Sequence, residues 1–175
     1  MKSNLKLTVS AVCAALATAF MMLGYFPYLT YAVPAMAGLF VMVPLIEIDK
    51  KYAFFTYITS ALLIFFFAEP ESKMLYICLF GFYPIVKAAI ERLNKAPVEW
   101  IIKILIFNAC AVLDYYISVK LLGVGFDDLG VIGEYGIYIF LILCNIVFVL
   151  YDIAISRVAA FYIARLHGKI KSIIK

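Results

Sequence analysis

The chain has 175 residues, of which 67% are hydrophobic, and it carries a formal net charge of +4. A soluble domain of this size could not bury so much apolar surface, so the composition excludes a soluble globular protein. The apolar runs are continuous and lack the alternation of barrel strands, which predicts an all-α integral membrane protein forming one domain over residues 1–175.

In chain order, the apolar segments each approach the roughly 20 residues that a helix needs to cross the hydrocarbon core. The predicted spans are 7–26, 32–48, 52–68, 74–93, 98–122 and 135–162. Because the joints between them are short, consecutive spans should run antiparallel. The prediction is a compact bundle of six transmembrane helices.

The distribution of Lys and Arg predicts the orientation of this bundle. If the N-terminus is cytoplasmic, all of the 15 basic residues except Lys73 and Lys120 fall on the inner side. Positive charge concentrates in the inner loops of membrane proteins. We therefore expect a multi-pass protein of the cell membrane with both termini cytoplasmic. Contact with anionic membrane lipid accounts for the net charge, and no nucleic-acid partner is expected.

The first span carries a stripe of small residues. Ala11, Ala15 and Ala19 recur every fourth position and so share one side of the helix. Small residues at this spacing let two membrane helices approach closely. The stripe is predicted to be a packing face, either for another span of this chain or for a partner subunit.

Two opposite charges are predicted at similar depths in different spans. Lys87 lies in the fourth and Asp152 in the sixth. Charges within a membrane are costly unless they are paired. We predict an intramembrane ion pair between them. Snorkelling of each side chain to the inner surface, or a ligand or coupling role, are the alternatives.

The outer side has the features of a ligand pocket. The first outer loop is rich in aromatic residues and the last one, 123–136, is rich in glycine. Aromatic rings with a few polar groups suit a flat, heterocyclic, vitamin-like ligand. The candidate substrate-binding residues are Tyr28, Glu69, Tyr76, Asp114, Lys120 and Asn145. Ordinary loops with an aromatic belt are the alternative. The buried amides of Asn108 and Asn145 each need a partner, and an interhelical hydrogen bond is the alternative role for them.

Other chemistries find little support in the sequence. The four cysteines are scattered singly over four spans, and His167 is the only histidine, so no metal site and no cofactor are expected. Motifs of hydrolases, metalloproteases and phosphate-binding loops are missing. We expect that the chain is not an enzyme.

Residues 11–38 resemble a known family of membrane proteins. Ala11-Val12-Cys13-Ala14-Ala15, and Thr30-Tyr31-Ala32-Val33-Pro34-Ala35-Met36-Ala37-Gly38, are similar to the first helix and the Pro-initiated second helix of S components. These are the substrate-binding subunits of energy-coupling factor (ECF) type vitamin transporters. The resemblance implies that the chain binds a small micronutrient from outside. It also implies docking through the first-helix Ala face on a transmembrane coupling subunit, which two ATPase subunits drive.

A structural role is the alternative function. The chain also resembles the MreD family of cell-shape scaffolds, which is similarly small and crosses the membrane several times. Such a protein needs no pocket, and its small-residue face would bind a morphogenetic partner.

Overall fold

The computed structural model describes residues 3–26, 28–121 and 136–168. Within these ranges the chain is almost wholly helical and contains no β-strand, which confirms the predicted all-α class. The helices are α1 Ser3–Met21, α2 Ala32–Glu47, α3 Lys50–Phe67, α4 Pro70–Leu75, α5 Tyr83–Ile90, α6 Ala96–Leu121 and α7 Gly136–Tyr162. Short 3₁₀ turns follow α1 (Met22–Tyr25) and α5 (Glu91–Leu93).

The fourth predicted span is built from two helices joined by a wider turn. Tyr76–Phe80 forms a π-helical turn between α4 and α5, closed by a hydrogen bond of 2.8 Å from Gly81 N to Tyr76 O. Pro84 follows in the first turn of α5, where its missing N–H leaves no intrahelical bond unmade. A second π-helical turn, Ile163–His167, extends α7.

Among the described residues, five helical segments are long and apolar enough to cross a membrane. They are Asn4–Tyr25, Lys50–Phe67, Pro70–Leu93, Ala96–Asp114 and Leu141–Arg165. The remaining rod, α2, is apolar but has 16 residues, about 24 Å at 1.5 Å per residue, against a hydrocarbon core of about 30 Å. By length and composition the chain is a helical membrane protein.

Helix α2 lies at the centre of the bundle. It packs against α1, α3, both halves of the fourth rod and α7. Gly38 allows its closest approach, because a Cβ atom there would collide with the carbonyl of Phe80 and would lie 3.1 Å from the hydroxyl of Tyr151. Around the periphery, large apolar side chains such as Phe55, Phe66 and Leu105 are exposed, as expected for a surface that faces lipid.

The ends of the rods are tied together on two opposite sides. At the acidic end, defined by the joint that carries Glu69 and Glu71, the hydroxyl of Tyr25 donates to the carbonyl of Phe67 over 3.0 Å. At the other end, Glu47 accepts from Tyr162 at 3.0 Å and pairs with His167 at 3.0 Å. We call this second side the basic end, after the joints that carry Lys50, Lys51, Arg92 and Lys95.

Candidate functional site

A cluster of charged side chains lies inside the bundle towards the basic end. Lys87 Nζ is 2.5 Å from Asp152 Oδ1 and 2.8 Å from Glu91 Oε1. Lys103 Nζ is 2.9 Å from Glu91 Oε1 and 3.1 Å from Asp152 Oδ2. Tyr83 donates its hydroxyl to Asp152 Oδ1 over 2.5 Å. These five residues form one closed network, called the ionic cluster below.

Helical spacing brings the ionic cluster together. Tyr83, Lys87 and Glu91 follow one another at intervals of four residues and therefore share one face of α5 and its 3₁₀ extension. The chain then turns back into α6, which places Lys103 beside that face. Asp152 completes the cluster from α7.

The network is neutral as a whole, with two ammonium groups against two carboxylates. Lys87, Lys103 and Asp152 are only 3–4% exposed, so an unpaired charge at any of these positions would be strongly unfavourable. Glu91 differs, since its side chain is 42% exposed. Of the four charged side chains in the cluster, Glu91 is therefore the exposed one.

The sequence predicted only two members of this cluster. It predicted the Lys87–Asp152 pair from similar depths, and these are the residues that the structure brings within 2.5 Å. It did not predict that Tyr83, Glu91 and Lys103 belong to the cluster. Lys103 contributed only to the prediction of orientation, as a basic residue of the inner side. The four-residue spacing from Tyr83 to Glu91 is the signal that could have found two of them.

A cavity of about 320 Å³ opens at the basic end beside the ionic cluster. Lys87 and Glu91 belong to its wall, while Asp49, Lys50 and Arg92 add charge near its mouth. The rest of the wall is largely apolar and includes Met42, Leu45, Ile46, Ile155 and Ile163. The cavity thus joins apolar surface to a buried charged network.

The first loop and the joint before α4 lie close together at the acidic end. Tyr28 is 97% exposed and has a left-handed backbone, with φ 70°. Glu69 caps α4 by accepting hydrogen bonds from the backbone of Glu71 at 3.3 Å and Ser72 at 2.9 Å. Partial burial raises the pKa of the Tyr31 phenol, and the carboxylates of Glu71 and Glu69 raise it further.

Three other residues predicted to bind the substrate lie away from this loop. Tyr76 is fully buried in the packing between α2, α3 and the fourth rod, with its hydroxyl 2.7 Å from Ser60 Oγ. Asp114 Oδ1 is buried without a hydrogen-bond partner among the described residues. The side chain of Lys120 and the loop 122–135 lie outside the described residues. Assembly of the six candidates into one pocket stays a prediction.

Asn145 is engaged in a reciprocal amide pair between α7 and α6. Asn108 Nδ2 donates to Asn145 Oδ1 over 3.0 Å, and Asn145 Nδ2 donates to Asn108 Oδ1 over 3.1 Å. Each amide also donates to the carbonyl four residues earlier in its own helix. An interhelical hydrogen bond was the alternative role for Asn145, and the structure identifies Asn108 as the partner.

The small-residue stripe of α1 is not covered by the described helices of this chain. Ala11, Ala15 and Ala19 are exposed. The opposite side of the helix packs into the bundle, where Ala14 and Ala17 are buried. Close packing within the chain therefore uses a different set of small residues from the predicted stripe.

Within the described ranges, no group of three or more His, Cys, Asp or Glu side chains is arranged to bind a metal ion.

Comparison with known proteins does not assign the chain to a family. No protein-family model matches the chain, and neither a curated protein nor a solved structure is significantly similar to it.

Proposed function

We propose that this protein is the substrate-binding membrane subunit of an ECF-type importer, an S component that captures a vitamin-like micronutrient. In this proposal it docks on a transmembrane coupling subunit, and two separate ATPase subunits supply the energy. The chain itself hydrolyses nothing. It crosses the cell membrane six times, and both termini lie in the cytoplasm. The short helix α2 is one of the six spans, in addition to the five longer segments.

The exposed alanine stripe of α1 is the observation that carries this proposal. Membrane helices associate where small residues let their backbones approach, and Ala11, Ala15 and Ala19 offer such a surface to a second protein. The same helix already buries Ala14 and Ala17 against its own bundle. A helix with small residues on both sides is suited to lie between its own domain and a partner.

The substrate site of the proposal is at the acidic end, which faces outward in this orientation. Asp114 Oδ1 supports it, because this buried acceptor has no donor among the described residues, which is unfavourable, and a ligand could supply one. Tyr28 and Glu69 would contribute from the rim, and Lys120 from the end of α6. Tyr76 and Asn145 already have partners in the protein, so they would contribute through shape and position.

Replacement of Ala15 by Trp tests the docking face. The indole would hold a partner helix away, so co-purification with coupling and ATPase subunits should be lost. The protein should remain folded, because position 15 points away from its own bundle. Ala154→Trp, at an exposed alanine of α7, is the matched control and should leave association intact. Association that survives Ala11→Trp, Ala15→Trp and the double variant would exclude this face.

A thermal-shift screen separates the importer from the scaffold alternative. A ligand that binds only the native state stabilises it by about 4 kcal/mol at a thousandfold excess over Kd. The purified protein should therefore respond to one member of a panel of vitamins, nucleobases and aromatic amino acids. An MreD-like scaffold also uses an exposed small-residue face but needs no ligand. A folded, monodisperse protein that responds to none would favour the scaffold.

A further inference from the structure

We propose that the basic-end cavity binds an amphiphilic anion. Its carboxylate or phosphate group takes the place of Glu91 between Lys87 and Lys103, and its apolar part lies along the cavity wall. This site is separate from the substrate site at the acidic end and does not depend on the importer proposal.

The two buried lysines already form half of an anion site. Both ammonium groups converge on one atom, Glu91 Oε1, at 2.8 and 2.9 Å. Charge-assisted hydrogen bonds of this length are also those that ammonium groups make to carboxylate and phosphate ligands. Asp152 also binds both lysines, one through each carboxylate oxygen, so each lysine keeps a carboxylate partner when Glu91 moves.

Of the two carboxylates in the ionic cluster, Glu91 is the one that can be exchanged. Its side chain is 42% exposed, against 4% for Asp152, which also accepts the hydroxyl of Tyr83. Glu91 begins the 3₁₀ turn that ends the fourth rod, and Asn94 directly after that turn is left-handed, with φ 52°. A rotamer change at Glu91 would therefore release its carboxylate into solvent without disturbing the packed helices.

The cavity wall selects the rest of the ligand. At about 320 Å³ the cavity lies at the lower end of the range for small-molecule sites. Its charged wall residues are three cations, Lys50, Lys87 and Arg92, against two anions, Asp49 and Glu91. Asp49 is occupied as the N-cap of α3, where it accepts from Lys50 N over 2.7 Å. Within the described ranges Lys50 and Arg92 form no ion pair, so their charge remains available at the mouth.

These features favour one acidic group on an apolar body and disfavour a cationic amphiphile. Two sources supply that chemistry, namely an anionic lipid of the adjoining leaflet and a soluble organic acid or phosphate ester. Both would use the same lysines, and the experiment below distinguishes them.

The direct test measures binding of octyl phosphate to the full-length protein in phosphatidylcholine nanodiscs, by thermal stabilisation. Octyl phosphate should stabilise the protein, and octyltrimethylammonium of the same chain length should not. Equal responses to the two amphiphiles would overturn the proposal, since chain partitioning alone would explain them. Inorganic phosphate should bind more weakly than octyl phosphate, because it leaves the apolar wall in contact with water.

Glu91→Gln is the decisive variant because it removes the internal competitor and leaves Asp152 to pair with both lysines. Octyl phosphate should bind this variant at least about tenfold more tightly than it binds the wild type. Lys50→Gln should weaken binding, whereas Lys51→Gln, an exposed lysine outside the cavity wall, should not. Unchanged or weaker binding to Glu91→Gln would overturn the proposal.

Nanodiscs that contain phosphatidylglycerol identify the source. If the lipid is the natural occupant, phosphatidylglycerol should itself stabilise the wild type and prevent the response to octyl phosphate, and Lys50→Gln should reduce that stabilisation. An undiminished response to octyl phosphate in the same discs would support the site and assign it to a soluble anion.

Discussion

Lys103 Nζ lies 3.1 Å from Asp152 Oδ2, which joins α6 to α7 across 49 positions of sequence. Four residues further along α6 and four residues back along α7, the rings of Phe107 and Phe148 stack with centroids 4.3 Å apart. The Asn108–Asn145 amide pair follows. Ionic, aromatic and amide contacts in succession define the antiparallel register of these two helices.

Removal of Lys103 should destabilise the protein severely. Lys103→Met leaves Glu91 and Asp152 to share the single ammonium of Lys87, and an unbalanced charge results inside the bundle. Breaking a buried ion pair by deleting one partner typically costs about 3–5 kcal/mol. We expect a loss near the lower value, because solvent reaches Glu91. Unfolding of the purified protein measures it.

Lys95→Met is the control for this variant, since Lys95 is exposed at the same end of the bundle. It should change the free energy of unfolding by less than about 0.5 kcal/mol. Equal stability of Lys103→Met and Lys95→Met would show that the cluster does not support the fold.

The amide pair should show coupling in a double-mutant cycle. Asn108→Leu and Asn145→Leu each leave the opposite amide with only its own helix carbonyl as a partner. Interhelical hydrogen bonds in membrane proteins contribute about 0.6 kcal/mol on average and up to about 1.7 kcal/mol. The double variant should therefore be more stable than the sum of the single losses predicts, by an amount in that range. Strict additivity would contradict the pairing.

Gly38→Ala should destabilise the protein by about 1–3 kcal/mol, because the new methyl group overpacks the contact between α2 and the π-helical turn. The nearest obstacle is backbone, the carbonyl of Phe80, which cannot rotate away as a side chain can. Gly168→Ala provides the comparison, since nothing lies within 4 Å of the Cβ position there. That variant should be neutral or slightly stabilising. Thermal unfolding of the two variants in one detergent decides the matter.

The orientation can be tested by labelling intact cells. In a cysteine-free variant, Asp127→Cys should react with an impermeant maleimide, and Lys171→Cys should react only after the cells are opened. Both positions lie outside the described residues, so this expectation rests on the basic-residue distribution alone. Labelling of Lys171→Cys in intact cells would show that the orientation is the reverse of the one predicted. The basic end and its cavity would then face outward.

The predicted spans agree closely with the helices because length and apolarity are local properties. The predicted span 32–48 corresponds to α2, Ala32–Glu47, and the predicted span 98–122 corresponds to α6, Ala96–Leu121. The fourth span differs from the prediction in one detail, the π-helical turn at Tyr76–Phe80, which ends at the closely packed Gly81. The Cβ position of Gly81 lies under 3.0 Å from the rings of Tyr57 and Tyr76.

Which side of each helix meets its neighbours could not be predicted from a sequence of this composition. Spans that are hydrophobic on all sides carry almost no periodic signal for a buried face. The stripe Ala11, Ala15 and Ala19 was visible in the sequence, but only the structure leaves it exposed while burying Ala14 and Ala17.

The sequence by itself determined the class of this protein and its helical segments, and it predicted a pairing of Lys87 with Asp152, because the hydrocarbon core demands apolar length and penalises lone charges. Only the tertiary structure brought Glu91 and Lys103 to that pair and opened a cavity beside it. Those contacts depend on how α6 rotates against α5 and α7, and van der Waals packing of side chains decides that rotation.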